Sequence, residues 1–213
     1  MKLKSFVFNP VEENTYVLYD ETGECVIIDA GCFYPEEKAQ LKDFIAEKGL
    51  SVKHLINTHL HFDHCFGTNF VTETYNVVLE ANAGDAEFLK RLPEQAAMFG
   101  FKFTEKIPTI KKFINENDEI HFGNQTLKAI HVPGHSPGSI VFYNEAQGCL
   151  FVGDVLFQRS VGRTDLPGGD FELLKSGIQN KLYTLPDETR VFSGHGPETS
   201  IGFEKKYNYY IQG

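Results

Sequence analysis

The sequence predicts an α/β protein in which two β-sheets pack face to face with helices on the outer faces. Three observations lead there. Alternating apolar runs that read as hairpin-forming strands recur in both halves of the chain, each half carries an amphipathic helix, and no linker, charge block, low-complexity tract or short repeat divides residues 1–213. A single domain spanning 1–213 is therefore expected.

The N-terminal stretch "MKLKSFVFNPVEENTYVLYD" alternates as a strand does, and "TYVLYD" with "ECVIIDAG" around "ETG" reads as an antiparallel hairpin. "PEEKAQLKDFIAEKG" starts a helix with Pro35 and two acids, sets Leu41, Phe44 and Ile45 on one face, and stops at Gly49. "VKHLINT" follows as a buried strand. "GDAEFLKRLPEQAAMFG" reads as a helix broken at Pro93, and "FKFTEKIPTIKKF" has no clear period, as in an irregular insertion. Strands resume in "EIHFG", "TLKAIHV", "SIVFYN" and "CLFVGD", the last two joined by "EAQG". "DFELLKSGIQNKLYTLP" gives a helix capped by Asp170, with Phe171, Leu174, Ile178 and Leu182 near one face, before a final strand in "TRVFSG".

Composition narrows the function classes. With 41% hydrophobic residues and no tryptophan among 213, the 19 phenylalanines carry much of the aromatic packing. A net charge of −9 argues against nucleic acid as partner, since phosphate contacts need clustered Lys and Arg. No secretory leader is visible at the N-terminus, and no window approaches the ~18 apolar residues of a membrane span. A soluble, cytoplasmic protein with no membrane partner is expected. Cys25, Cys32, Cys65 and Cys149 form no CxxC pair, which removes zinc-ribbon and thioredoxin readings and leaves buried free thiols, Cys65 included despite its neighbour His64.

The unusual polar residues sit where strands end. His59, His61, Asp63 and His64 follow "HLINT", His135 follows "LKAIHVPG", Asp154 follows "LFVG" and His195 follows "RVFSG". Loops at the carboxyl ends of strands converge on one edge of a sheet. Imidazole and carboxylate are ligands for zinc, and a thiolate-free set also admits iron or manganese. In "HLHFDH", His59 and His61 point the same way if the backbone is extended, whereas the sequential Asp63 and His64 diverge. That suits two divalent ions: His59 and His61 on the first, Asp63 and His64 on the second, Asp154 bridging, and His135 with His195 completing the shells. His54, His121 and His131 lie inside strands and stay outside this set, and Asp29 in "IIDAG" reads as a turn residue tying a loop near the site.

"THLHFDH" with "GHSPGS", "GD" after an apolar strand and a C-terminal "GHG" resembles the metallo-β-lactamase fold superfamily. "ENTYVL", "GRTDLPGGD" and "TSIGFEKKYN" are similar to its short, single-domain glyoxalase II-like branch. The resemblance covers nearly the whole chain. It implies a four-layer αββα sandwich of two mixed sheets with a dinuclear site on one edge: His59, His61 and His135 in one shell, Asp63, His64 and His195 in the other, Asp154 between. Several β-lactamases of this fold carry cysteine where Asp154 stands, so the resemblance implies substrates other than antibiotics. Two departures stand out: Ser193 precedes "GHG" and Tyr209 follows Asn208, at places where the branch has proline.

The expected chemistry is hydrolysis of a small-molecule thioester or ester, such as a hydroxyacyl-thiol, by a metal-bound hydroxide, with Asp63 orienting the nucleophile as well as ligating. The chain lacks room for the helical domain with which longer glyoxalase II enzymes bind glutathione, so the thiol carrier stays open. Arg159, Arg163, Lys205 and Lys206 are candidate carboxylate receptors, and Phe99, Phe101 and Phe103 a candidate lid. Two other readings remain: a persulfide dioxygenase-like oxygenase with one iron on His59, His135 and Asp154, and a non-catalytic scaffold of the same fold.

Overall fold

Strand alternation decides the layering. The computed structural model describes residues 1–213. The first half forms β1 (Lys2–Phe8), β2 (Glu13–Tyr19), β3 (Glu24–Ile28), α1 (Pro35–Glu47), β4 (Ser51–Ile56), α2 (Thr68–Tyr75), β5 (Leu79–Ala81), α3 (Ala86–Lys90), α4 (Leu92–Met98) and β6 (Lys112–Phe113). The second half forms β7 (Glu119–Phe122), β8 (Gln125–His131), β9 (Ile140–Asn144), β10 (Cys149–Gly153), β11 (Leu156–Phe157) and β12 (Ser160–Val161). It continues with α5 (Phe171–Gly177) and one π turn (Ile178–Leu182), then β13 (Arg190–Ser193), β14 (Thr199–Ser200) and α6 (Ile201–Tyr207).

Two six-stranded sheets result, ordered β1-β2-β3-β4-β5-β6 and β14-β13-β10-β9-β8-β7. The first is antiparallel from β1 to β3 and parallel from β3 to β6; the second is antiparallel except where β10 runs alongside β13. Both sheets are therefore mixed, as the sequence predicts. Successive residues of one strand enter different layers because side chains alternate across a sheet. Leu18, Val26 and Ile28 meet Phe142 and Phe151 between the sheets. Their neighbours Val17, Cys25 and Ile27 pack outward on Leu41 and Ile45 of α1, and Val141, Leu150 and Val152 pack outward on Leu174, Ile178 and Ile201. Apolar burial on both faces of each sheet makes the four layers αββα.

Three details differ from the sequence reading. The helical stretch breaks at Arg91, ahead of Pro93, because proline sits in the first turn of α4, where its missing N–H costs nothing. Two elements, α2 and α6, carry no clean apolar period in the sequence; α2 is rich in threonine, a weak helix former. The helix opened by Asp170 is capped as expected, its carboxylate accepting the Leu173 N–H at 2.9 Å, but α5 gives way to the π turn at Ile178. No helix is long and apolar enough to cross a membrane. All four cysteines are free and buried.

Candidate metal centre

One edge of the sandwich collects the carboxyl ends of four strands. β8 and β10 both run antiparallel to β9, and β13 runs parallel to β10, so the loops after β8, β10 and β13 leave the same side of the second sheet. The loop after β4 meets them from the first sheet. These loops carry His135, Asp154, His195 and the run from His59 to His64.

The loop after β4 is extended through His61 (φ −70°, ψ 155°) and then tightens into a single 3₁₀ turn at Phe62–His64. Extended backbone brings the His59 and His61 rings together edge to face, their centroids 4.7 Å apart, and the turn sends Asp63 and His64 to the other side. Nε2 of His135 lies 2.9 Å from Nδ1 of His61 and 3.3 Å from Nε2 of His59. Opposite them, Nε2 of His195 lies 3.1 Å from Oδ2 of Asp63, and Nε2 of His64 lies 3.5 Å from the same oxygen. Each trio has ligand atoms within 4.8 Å of one another. Asp154 faces both: its Oδ1 is 3.5 Å from Nε2 of His64, and its Oδ2 is 3.7 Å from Nε2 of both His135 and His195. The structure brings together all seven residues singled out in the sequence.

Hydrogen bonds behind the cluster choose which ring nitrogen is free. Nδ1 of His135 donates to the Arg163 carbonyl at 2.9 Å and Nδ1 of His195 to the Val11 carbonyl at 3.0 Å, leaving Nε2 unprotonated to ligate. His64 turns Nδ1 to Oδ2 of Asp29 at 3.2 Å. Asp29 does tie a loop, accepting the Thr58 N–H at 2.7 Å and its hydroxyl at 2.6 Å, but it also backs His64, which the turn reading overlooked. Asp85 is another such tie. Its carboxylate accepts the Leu60 N–H (3.1 Å), the Ser136 hydroxyl (2.7 Å) and the Gly138 N–H (2.6 Å), so it joins the His59–His61 loop to the His135 loop. At Gly194 a Cβ would collide with Oδ1 of Asp154, so only glycine lets the loop after β13 pass this close.

The donors fit divalent cations. Burial drives the His59 imidazole well below its usual range and His61 down to about 3, each helped by the neighbouring rings, so both keep a free lone pair. Burial works to raise the Asp154 carboxyl, yet facing His64 and His195 hold it well below the carboxylate range. Burial likewise opposes charge on His64, and the Asp63 and Asp154 carboxylates outweigh it and lift that imidazole well above its usual range. Positive charge is thus stabilised between the two carboxylates. Nε2 of His64 and Oδ1 of Asp154 are buried without a hydrogen-bond partner, as expected of atoms shaped for ligands other than protein groups.

Other expectations sort differently. Cys65 belongs to neither trio. His54 pairs with Glu80 and His131 with the Pro137 carbonyl, away from the cluster. Among the four candidate cations only Arg163 lines the cavity over the cluster, and it is forked onto Asp165. Arg159 is instead bonded to the Tyr209 hydroxyl and lies over the rings of Phe203 and Tyr209, and Lys205 pairs with Asp187. Tyr209 thereby has its own contact at the place where the branch has proline, and the Ser193 hydroxyl donates to the Leu156 carbonyl. Of the three candidate lid phenylalanines, Phe99 lines the cavity, whereas Phe101 and Phe103 pack on Phe66. Arg91 and Gln95 also line it and were missed, because nothing local marks a helix-junction residue as facing a site.

The sequence profile of the Metallo-beta-lactamase superfamily matches residues 9–195. The chain is 33% identical to a protein of Haemophilus influenzae named hydroxyacylglutathione hydrolase GloC, over 99% of this chain and 98% of that one. Its structure is similar to the crystal structure of the BLEG-1 B3 metallo-beta-lactamase (35% identity, TM-score 0.90, all of both chains). It is also similar to that of TTHA1623 in a di-iron-bound form (32% identity, TM-score 0.87, 98% of this chain and all of that one).

Proposed function

Because the chain belongs to the metallo-β-lactamase superfamily of metallo-hydrolases, we propose that this metal-dependent hydrolase cleaves a small-molecule thioester, of the hydroxyacyl-thiol kind, at a dinuclear centre. The observation that carries the reading is Asp154 standing between two complete trios with an unpartnered buried oxygen. His59, His61 and His135 would hold one ion, Asp63, His64 and His195 the second, and Asp154 both. Zinc suits such an all-nitrogen-and-oxygen set, and iron and manganese are admitted by the same donors.

When bound, divalent ions supply Lewis acidity and lower the pKa of coordinated water from 15.7 to about 7. The chain's own residues do the rest. Asp63 orients the attacking water by accepting its hydrogen. Phe88 and Phe99, on the cavity wall, give an acyl chain an apolar surface to pack on. A thiolate leaves readily, so no strong protein acid is required. A carrier held through phosphates is disfavoured by the net charge of −9, and unpaired thiols fit a reducing cytoplasm.

The oxygenase reading uses only His59, His135 and Asp154, and leaves His61, Asp63, His64 and His195 assembled without a task. Metal analysis of protein purified without added metal, with assays of thioester and β-lactam hydrolysis and of oxygen uptake on a persulfide, tests the proposal. Two ions per chain with thioester turnover are expected. One iron with oxygen consumption would replace the hydrolase with the oxygenase, and no metal with no activity would leave a scaffold.

A further inference from the structure

The cavity over the ligand cluster holds about 220 Å³, where about 150 Å³ is enough for benzene. Its wall is aromatic and aliphatic. Phe88 stacks on the His61 ring (5.3 Å, 17°), Phe99 stacks on Phe62 (4.9 Å, 29°), and Leu166, Pro167 and the largely exposed Met98 add apolar surface. An arm of several carbons is desolvated favourably there, whereas a polar arm finds few partners beyond Gln95 and the two arginines. Two guanidinium groups line the same cavity. Arg163 is neutralised by its fork onto Asp165, with both contacts at 2.7 Å. Arg91, at the junction of α3 and α4, has neither an ion pair nor a side-chain hydrogen bond, and its neighbour Glu87 is taken by Lys90. Arg91 is exposed, so one hydrated cation without a protein partner lines a cavity whose remaining surface is mostly apolar, an arrangement suited to a single anion at the end of an apolar arm.

We propose that Arg91 selects substrates by receiving a carboxylate borne on an apolar arm, while the thioester carbonyl lies among the metal ligands. This deepens the thioesterase reading and rests on it. A planar guanidinium matches a carboxylate bidentately, which a lysine ammonium does not.

The test uses two pairs of thioesters matched in carbon count. One pair places the carboxylate on the acyl half (adipoyl against hexanoyl, on ethanethiol). The other places it on the thiol half (hexanoyl on 3-mercaptopropionate against propanethiol). The parent enzyme is expected to favour the carboxylate in one pair by about tenfold in kcat/KM. Arg91→Gln should bring that ratio toward one, chiefly through KM, and Arg91→Lys should restore part of it. The pair that responds tells which half occupies the cavity. Ratios unchanged by Arg91→Gln in both pairs overturn the proposal. If the parent hydrolyses no thioester, the catalytic reading fails by itself. Calorimetric binding of the matching thioether carboxylate to chelator-treated protein then decides: a roughly tenfold loss in Arg91→Gln supports the receptor, and equal binding removes it.

Discussion

His64 and Asp154 face each other across 3.5 Å, Nε2 to Oδ1, with both atoms sealed from solvent and neither hydrogen-bonded. An unsatisfied buried polar atom costs about 1–3 kcal/mol, and a cation that both can ligate would satisfy the contact. Asp154→Ala is therefore expected to lose metal and activity together, with metal affinity falling by more than the 10–100-fold typical of outer-shell partners. Elemental analysis beside thioester turnover checks this. Full turnover with neither metal bound would end the dinuclear scheme.

Metal removal should lower thermal stability, because ions held as proposed would bind the assembled trios and not the unfolded chain. At free metal about 1,000-fold above Kd the linkage is worth about 4 kcal/mol, or roughly 10 °C in Tm for a chain of this length. Scanning calorimetry before and after chelation should show the drop, and zinc should reverse it. A Tm indifferent to chelator would mean that these side chains hold no ion.

Asp85 ties two ligand loops with one carboxylate, and an asparagine presents only one oxygen to donors that occupy both. Asp85→Asn should leave one backbone N–H unpaired and destabilise the fold by about 1–3 kcal/mol. It should also weaken the ion proposed at His59, His61 and His135 more than the one proposed at Asp63, His64 and His195. Chemical denaturation and stepwise metal titration separate the two effects; an even loss at both sites would reduce Asp85 to a general stabiliser.

Asp20 joins the sheets at the opposite end. Its carboxylate accepts the Thr22 hydroxyl at 2.6 Å and the Asn124 N–H at 2.7 Å, linking the β2–β3 turn to the β7–β8 turn. The Thr22 hydroxyl foremost, with the Asn124 N–H, brings the Asp20 carboxyl down to about 2, against burial. A depressed carboxyl contributes stability that is complete above its unfolded value near 4 and lost as pH falls through about 2. The stability gap between the parent and Asp20→Asn should then be constant from pH 7 to about 5 and narrow below about 4. Urea midpoints across that range measure it, and a gap that widens in acid would contradict the assignment.

Much of the site was legible because metal ligands are chemically conspicuous: three imidazoles and a carboxylate within His59–His64 have no packing purpose. His135, Asp154 and His195 were legible through position, each just beyond an apolar strand. Asp85 and Arg91 were not. Asp85 acts on Ser136, 51 residues away, and Arg91 lines the cavity only because α3 and α4 fold over the cluster. Arg159 and Lys205 misled for the same reason, since their partners Tyr209 and Asp187 are set by packing of the C-terminal segment.

By itself the sequence determined the two-sheet layering and the types of atom offered to a ligand, because alternation and residue chemistry are local properties of the chain. Only the tertiary structure decided which nitrogen of each imidazole is free, which oxygens stay unpaired and which cation faces the cavity. Those outcomes depend on sheet register and on contacts between distant loops, where a shift of one residue would turn every side chain of a strand to the other face.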